Sequence, residues 1–386
     1  MAERVAFIFT HRIQYFSNLL DELCKRGTID PLAIYGHETG RIDDPGFGRR
    51  ITWDNRPQIS CPEIVLRDAG RSKIGRSGAG LKHALASFRP SIIHLNGYGD
   101  VLQWQAWLWA KTHGVPIFLR GDGDTLNRKK SLLQQIKRKL VRIFTGQAHV
   151  VFFQGEENKR FWIDNGAKFE RLCWIPCVSD TEVFRKPAFR STEERLKFRR
   201  LHGAEADDII FLVSGKLIAR KRPADAIRAL SKLQDARTRL WFLGSGPLEN
   251  DLKRLAAELC MNDRILFLGF KNQTEMPSVL QAADVLVHPA ERDPWPYAVL
   301  EAAHAGLALL LSDRTGSCVD WIDDHRAGLR FRCAEVHSLA RAMNEAANDT
   351  KKRSAWQTSA KAAAEAHTEA TFCVILEEAA LRKTAK

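Results

Sequence analysis

Short apolar runs recur along the chain, separated by segments with the polar and apolar spacing of helices. Residues 4–9, 31–35, 91–95, 115–119 and 149–154 are aliphatic or aromatic at consecutive rather than alternate positions. A strand that is apolar on both faces needs cover on both, so these runs predict a parallel sheet packed between helices. The same alternation restarts after Asp207, with strands expected at 209–214, 240–244, 264–268, 285–288 and 307–311. The chain therefore reads as two α/β units in succession, each a doubly wound sheet.

Between them, residues 185–200 hold seven Lys or Arg, two Glu and one Pro. That composition predicts an exposed connection or a solvated surface helix, with the boundary near residue 180. After His367, apolar residues at Phe372, Val374, Ile375, Leu376, Ala380 and Leu381 suit a packed helix better than a frayed tail.

Composition narrows the class. A length of 386 residues exceeds what one core serves, and 45% hydrophobic with 27% charged residues is ordinary for a globular protein. The opening MAERVAFIFT reads as a first strand rather than a secretory leader, and no apolar run approaches the roughly 18 residues that span a bilayer. A soluble cytoplasmic protein is expected. Eight cysteines lack the spacing of a zinc site or disulfide scaffold, so free thiols are expected, the closest pair Cys173 and Cys177 included. The formal charge of +13 requires anionic company, and lipid, nucleic acid and phosphorylated substrates all qualify.

Three segments carry candidate chemistry. The first is DVLVHPAERDPWPYAVLEAAHAGLALLLSD at 284–313: a strand, a loop, a helix start and another strand. The amides of Tyr297, Ala298 and Val299 would lack helical partners there and form an anion site, with Asp293 just before the helix and Glu301 a turn inside it. Alone, the segment reads equally as Asp293 capping a helix and Glu301 in solvent. The second is SGKLIARKRP, where Gly215 closes a strand and Lys216 and Lys221 follow; two ammonium groups there suit a diphosphate, or simply a solvated loop. The third is FLGSGPL, where Gly244 and Gly246 allow close backbone approach to a nucleotide, or make a tight turn with no ligand.

The three occur in order, each at the end of a strand of one predicted sheet. In that arrangement the chain resembles the family-four retaining glycosyltransferases of the GT-B fold. That family carries a basic pair, a G-x-G turn, and an acidic residue separated by seven residues from Glu-Ala, seen here as Lys216 and Lys221, Gly244 and Gly246, and D-PWPYAVL-EA from Asp293. The resemblance is strongest over 209–313 and continues upstream through FFQGEENKRFWIDNGAKFERLCWIPCVSDTEVF.

The resemblance implies two Rossmann-like domains facing a cleft. Residues 1–180 would bind the acceptor, 181–365 the nucleotide-sugar, and 366–386 would form a helix returning to the first domain. Lys216 and Lys221 would balance the donor diphosphate beside Gly215. Glu301 would hold the ribose, Asp293 would touch the transferred sugar, and the backbone around Trp295 and Tyr297 would hold hydroxyls and phosphates. Three departures stand out: Lys216 where Arg is commoner, Asp293 where Glu is usual, and Pro294 and Pro296 where glycines are common. The prolines remove two backbone donors from the loop.

In the first domain no glycine lies between Phe9 and Gly27, and His11, Arg12 and Gln14 are candidates to face the cleft, with His11 also readable as a satisfied loop histidine. In RGDGD, Arg120 or Asp122 would meet the reacting sugar or the acceptor hydroxyl, or else make a Gly-Asp turn. Retention without an evident nucleophile implies attack from the face that the diphosphate leaves, with no metal and no cofactor, the charge growing on the phosphate being met by Lys216, Lys221 and the helix start.

Residues 126–145 hold seven basic residues and no acidic one, with Leu132, Leu133, Ile136, Leu140 and Phe144 near one helical stripe. The stripe is expected to pack on the first sheet, and the charges to suit a lipid-linked or otherwise anionic acceptor at the cytoplasmic membrane face. Trp104, Trp107 and Trp109 are expected to be core. The partners expected are thus a UDP- or GDP-sugar, a glycan or lipid-linked acceptor and an anionic membrane surface, with nucleic acid disfavoured. Two rivals share the pattern: a nucleotide-sugar epimerase or hydrolase of the same architecture, and a non-catalytic nucleotide-sugar-binding protein.

Overall fold

The computed structural model describes residues 2–12, 15–36, 42–44, 46, 49–51, 61–66, 71–72, 75–76, 80–126 and 132–382. The chain folds as two compact units, one of Met1–Gly40, Arg56–Val178 and Thr368–Lys386, the other of Arg41–Asn55 and Ser179–His367.

The first unit is built on seven parallel strands: β1 (Glu3–Phe9), β2 (Ile29–Tyr35), β3 (Glu63–Val65), β4 (Ile92–Asn96), β5 (Ile117–Arg120), β6 (Val150–Phe153) and β7 (Leu172–Trp174), in the order β7-β6-β5-β4-β1-β2-β3. Both faces are buried, as the unbroken apolar runs require. Val5, Phe7 and Phe9 pack with Phe16, Leu19, Leu20 and Leu23 of the helix Tyr15–Arg26, while Ala6 and Ile8 pack with Leu81, Leu85, Leu102 and Ala106 on the other face. Each such fully buried aliphatic or aromatic side chain contributes about 1.5–3 kcal/mol. The last helix, Glu369–Arg382, lies in this unit and joins its core through Phe372, Cys373 and Leu376. Arg26 donates to the buried Glu377 carboxylate through Nε at 2.9 Å and Nη2 at 2.7 Å, closing the contact between first and last helices with a two-point ion pair.

The second unit has six parallel strands: β8 (Ile209–Ser214), β9 (Thr238–Leu243), β10 (Ile265–Gly269), β11 (Val285–His288), β12 (Ala308–Ser312) and β13 (Gly328–Phe331), in the order β10-β9-β8-β11-β12-β13. Chain order runs outward from β8 on one side and from β11 on the other. Sequence order therefore reverses between these two adjacent strands, where Phe211 pairs with Val285 and Leu212 with Leu286. In open parallel sheets the loops leaving two such strands diverge and open a crevice for a ligand.

Two expectations need correction. The basic stretch 185–200 is not a solvated connection: the helix Thr192–Leu201 is capped by Ser191 Oγ accepting from Glu194 N at 3.2 Å, and its Arg199 is fully buried. Arg199 Nη1 reaches Asp284 Oδ2 at 3.3 Å, Arg195 Nη2 reaches Asp284 Oδ1 at 3.2 Å, and Arg199 also donates to the carbonyl of Asp208. The charges that suggested solvent instead fasten the helix to the edge of its unit. Composition cannot show this, because one carboxylate 85 residues away decides it.

The second concerns the basic helix, observed at Leu132–Gln147; Arg128, Lys129 and Lys130 lie outside the described residues, as does Gln14. Val141, Phe144 and Thr145 are buried, but Ile136, Leu140 and Ile143 stand 50%, 43% and 44% exposed. The expected stripe is thus split. The docked face is chosen by tryptophans of the helix Val101–Thr112: Trp104 meets Phe144 edge-on at 4.2 Å and Trp107 stacks on it at 5.5 Å. Trp109 is itself buried, so the three tryptophans serve packing here.

Candidate active site

Site geometry in the second unit begins at Gly215, where β8 ends. Its φ of 124° lies in the left-handed region, so the chain swings out of the sheet at once, and Lys216 stands on the first residue of the turn. A single turn, Ala219–Lys221, then leads through Arg222 into the helix Pro223–Leu230, whose first-position proline lacks only an amide that no helical carbonyl would use. Lys221 thereby sits at the end of the loop with its side chain 19% exposed.

Gly244 and Gly246, after β9, lie directly against this loop. A Cβ on Gly244 would collide with Gly215 O, and one on Gly246 would stand 2.5 Å from Leu217 O. Leu217 N donates to Ser245 O at 3.0 Å and Leu248 N to Leu217 O at 3.1 Å. The close approach that these glycines permit in the structure is loop to loop: the FLGSGPL turn clamps the SGKLI turn and fixes where Lys216 emerges.

Across the strand-order reversal, β11 ends at His288, and five residues later the chain reaches Asp293. The intervening loop is held by its backbone. Glu291 N donates to Arg220 O at 2.9 Å, Ser312 Oγ to Ala290 O at 2.6 Å, and Gly316 N to Asp293 O at 2.8 Å. Asp293 also bridges Thr315, and a Cβ on Gly316 would collide with Pro294 O. The segment after β12, DRTGS, is therefore part of the site. Sequence reading passed over it because its glycine serves a backbone contact rather than a recognisable motif.

With the backbone fixed, Asp293 is 8% exposed and Lys221 pairs with its Oδ2. His288 Nε2 lies 3.1 Å from the same oxygen. Burial alone would raise the Asp293 pKa; the His288 hydrogen bond and the Lys221 charge outweigh it and hold the carboxyl well below the usual carboxylate range. His288 is pushed down, first by burial and then by Lys221, so its ring is neutral at pH 7 and Nε2 carries the donated proton. His288 was missed from sequence, although it is the last residue of a predicted strand whose following loop carries the candidate acid.

The helix Tyr297–His304 starts at Pro296 without any side-chain cap, so Asp293 is not a helix cap. Glu301 is 4% exposed and so not in solvent either. Both halves of the unexceptional reading of this segment fail. One detail of the anion-site expectation also changes: Val299 N donates to Pro296 O at 3.1 Å, which engages that amide and leaves Tyr297 and Ala298 as the first-turn amides of interest. Trp295 is 9% exposed and stacks on His367 with ring centroids 5.7 Å apart, so it anchors the loop through its side chain.

In the first unit the candidates are less concentrated. Asp122 is exposed beyond β5 and accepts from Gln154 Nε2 at 3.2 Å. Its neighbours Gly121 and Gly123 offer their carbonyls to Asn158 Nδ2 at 3.0 and 2.7 Å, making the Gly-Asp segment a built turn that presents Asp122 outward. Arg120 is buried, with Nη2 3.8 Å from Cys177 Sγ. Arg12 pairs with Glu63, and His11 Nδ1 lies 2.9 Å from Thr10 Oγ1, which makes His11 a satisfied loop histidine. All eight cysteines are free thiols.

Residues 194–363 match the family model described as glycosyl transferases group 1. This stretch belongs to that family. It covers the helix that Arg199 anchors, every strand of the second sheet and the whole Lys221, His288 and Asp293 cluster. The family resemblance read from the motifs is thus matched over the same residues. A 2-deoxystreptamine glucosyltransferase of Streptomyces kanamyceticus is 30% identical over 177 residues, 45% of each chain. The UDP-Gal:alpha-D-GlcNAc-diphosphoundecaprenol alpha-1,3-galactosyltransferase of Escherichia coli is 29% identical over 152 residues, 38% of each chain. The chain spans less than half the length of these two relatives. Among solved structures, Anabaena HepE in complex with UDP superposes with a TM-score of 0.76 at 16% identity, covering 99% of this chain and 100% of that one. At that identity the likeness is one of fold: two parallel α/β sheets of the GT-B type.

Proposed function

We propose that the protein is a retaining glycosyltransferase that moves a sugar from a UDP- or GDP-linked donor to a glycan, lipid-linked or other anionic acceptor. The observation that carries this reading is the juxtaposition of Lys221 and Asp293, 72 residues apart in sequence, where the strand order of the family-matched sheet reverses. A cation and a buried carboxylate at that crevice suit a ligand with a diphosphate at one end and hydroxyls at the other. Similarity to a UDP complex and to two sugar transferases supports the same class.

In this scheme Lys216, Lys221 and the first-turn amides of Tyr297 and Ala298 stabilise the charge that grows on the leaving diphosphate. Glu301 takes the ribose hydroxyls, and Asp293 takes a hydroxyl of the transferred sugar. Gly215, Gly244 and Gly246 set the loop backbones that surround the nucleotide. The first unit binds the acceptor, and Asp122, exposed on its turn, is the group there that meets the acceptor hydroxyl. The acceptor attacks from the face that the diphosphate leaves, so configuration is retained; the scheme uses neither metal nor cofactor.

Among the described residues no helix is long and apolar enough to cross a membrane. The helix Leu132–Gln147 nevertheless offers exposed Ile136, Leu140 and Ile143 beside exposed Arg138, Lys139 and Arg142, a combination suited to peripheral contact with an anionic membrane at its cytoplasmic face. A lipid-linked acceptor would be met there.

The test is incubation with UDP- and GDP-sugars with and without a crude lipid extract, following nucleotide release and sugar incorporation. Release that depends on acceptor supports the transferase. Acceptor-independent release points to the epimerase or hydrolase, and tight binding without turnover to a binding protein.

A further inference from the structure

His288 is placed by a strand, while its two neighbours in the cluster are placed by loops. It closes β11, pairs across the sheet with Leu311, and is 2% exposed, so its ring has little freedom. Lys221 hangs from a short turn on a long flexible stem with its side chain partly in solvent. Both reach the same oxygen, Oδ2 of Asp293, so Oδ1 is engaged by neither.

The donor reading gives Lys221 a second task, since its ammonium is also to meet the diphosphate. One ammonium that turns toward a phosphate gives up part of its hold on Asp293. A buried carboxylate deprived of its cation either takes up a proton or shifts, and both would spoil a contact to a sugar hydroxyl. We propose that His288 is the positioning residue that keeps the Asp293 carboxylate charged and in register for the donor sugar while Lys221 engages the diphosphate. The inference rests on the donor site proposed above. It also accounts for Asp in place of the longer Glu: the shorter carboxylate lies within reach of the strand-borne imidazole, whose neutral Nε2–H needs no further counter-charge.

The test compares wild type with His288→Phe, which keeps a ring but no donor, and His288→Gln, whose amide nitrogen replaces the donated hydrogen bond. UDP is titrated by calorimetry at pH 6 in two buffers of different ionisation heat, which reads the protons taken up on binding. UDP affinity in both variants should stay within about threefold of wild type, because His288 does not touch the nucleotide. His288→Phe should take up as much as about one more proton per UDP than wild type, as Asp293 loses its last partner, and His288→Gln should not. With a turned-over donor, kcat of His288→Phe should fall about ten- to a hundredfold at little change in donor KM, and His288→Gln should recover most of it. Equal proton uptake in His288→Phe and wild type, or equal kcat, overturns the role of His288 and leaves the donor site standing. Failure of wild type to bind either UDP or GDP overturns the donor site and this role with it. Equal loss in the Phe and Gln variants marks a packing function and contradicts the proposal.

Discussion

His288 Nε2 lies 3.1 Å from Asp293 Oδ2, joining the last residue of a buried strand to the acid of the loop that follows it. Lys221 meets the same oxygen from the neighbouring strand's loop, so three residues from two segments form one electrostatic unit. Such a unit loses more than one pairwise contact when a member is removed, because the partners remain buried.

Removing the carboxylate or the cation should therefore cost activity far more than stability. Asp293→Ala and Lys221→Ala are each expected to lower kcat/KM by about 10²–10³-fold, within the range for a preorganised group acting on transition-state charge. Steady-state kinetics with a turned-over donor measures this, and a circular-dichroism melt checks that the fold persists. Wild-type kinetics in both variants would place the chemistry elsewhere.

The glycine contacts give a prediction about stability. Gly244→Ala puts a methyl into Gly215 O and Gly316→Ala one into Pro294 O, both rigid backbone atoms. Each substitution should destabilise the second unit by ~1–3 kcal/mol through overpacking, and Gly244→Ala somewhat more because its φ of 138° is also unfavourable for alanine. Urea unfolding measures the difference. Gly203→Ala is a control: its φ of 72° carries the backbone penalty alone, with no atom near the added methyl.

Arg199 supplies a third. It is buried, burial lowers its pKa, and Asp284 opposes that effect. Arg199→Ala strands the Asp284 carboxylate and should cost about 3–5 kcal/mol, whereas the exposed Arg200→Ala should change stability by less than about 0.5 kcal/mol. Chemical denaturation of the two variants compares them directly.

Much of the fold was legible in the sequence and some of it was not, for physical reasons. The strands β1, β4, β8 and β11 were readable because each is apolar on both faces, a pattern that only a covered parallel sheet requires. β3, β7 and β13 were not anticipated: the first two are short, three-residue edge strands, and β13 has the charged Arg330 within it. Lys221 and Asp293 were picked out as separate weak motifs. Their meeting follows from the strand-order reversal, a long-range fact that no local window contains. The split stripe of the helix Leu132–Gln147 has the same origin, since two tryptophans on another helix choose which face docks. His288 was hidden because an apolar strand ending in histidine looks like core until the following loop folds back onto it.

Acid should expose the buried histidines as a group. His94 is pushed down to about 3 by burial and by Arg120, His304 to about 4 by burial and by His367, and His288 is lowered as well. The unfolded chain binds protons on these groups below its ordinary histidine pKa, and the folded one does not. Stability is therefore complete above about pH 6.5 and lost as pH falls toward 4, at up to roughly 3 kcal/mol per pH unit. Melting temperatures between pH 7.5 and 4.5 measure it, and His304→Gln should flatten the slope by about one proton. A flat profile over that range would show that these rings do not stay neutral in the fold.

The measurement nearest to the central claim is anomer-resolved product analysis of the wild type beside the Lys221→Ala, Asp293→Ala double variant, using UDP- and GDP-sugars with a lipid-extract acceptor. The account predicts acceptor-dependent release of nucleoside diphosphate, a product of the donor's own anomeric configuration, and loss of both in the double variant. Turnover that persists in the double variant, or a product of inverted configuration, would contradict it.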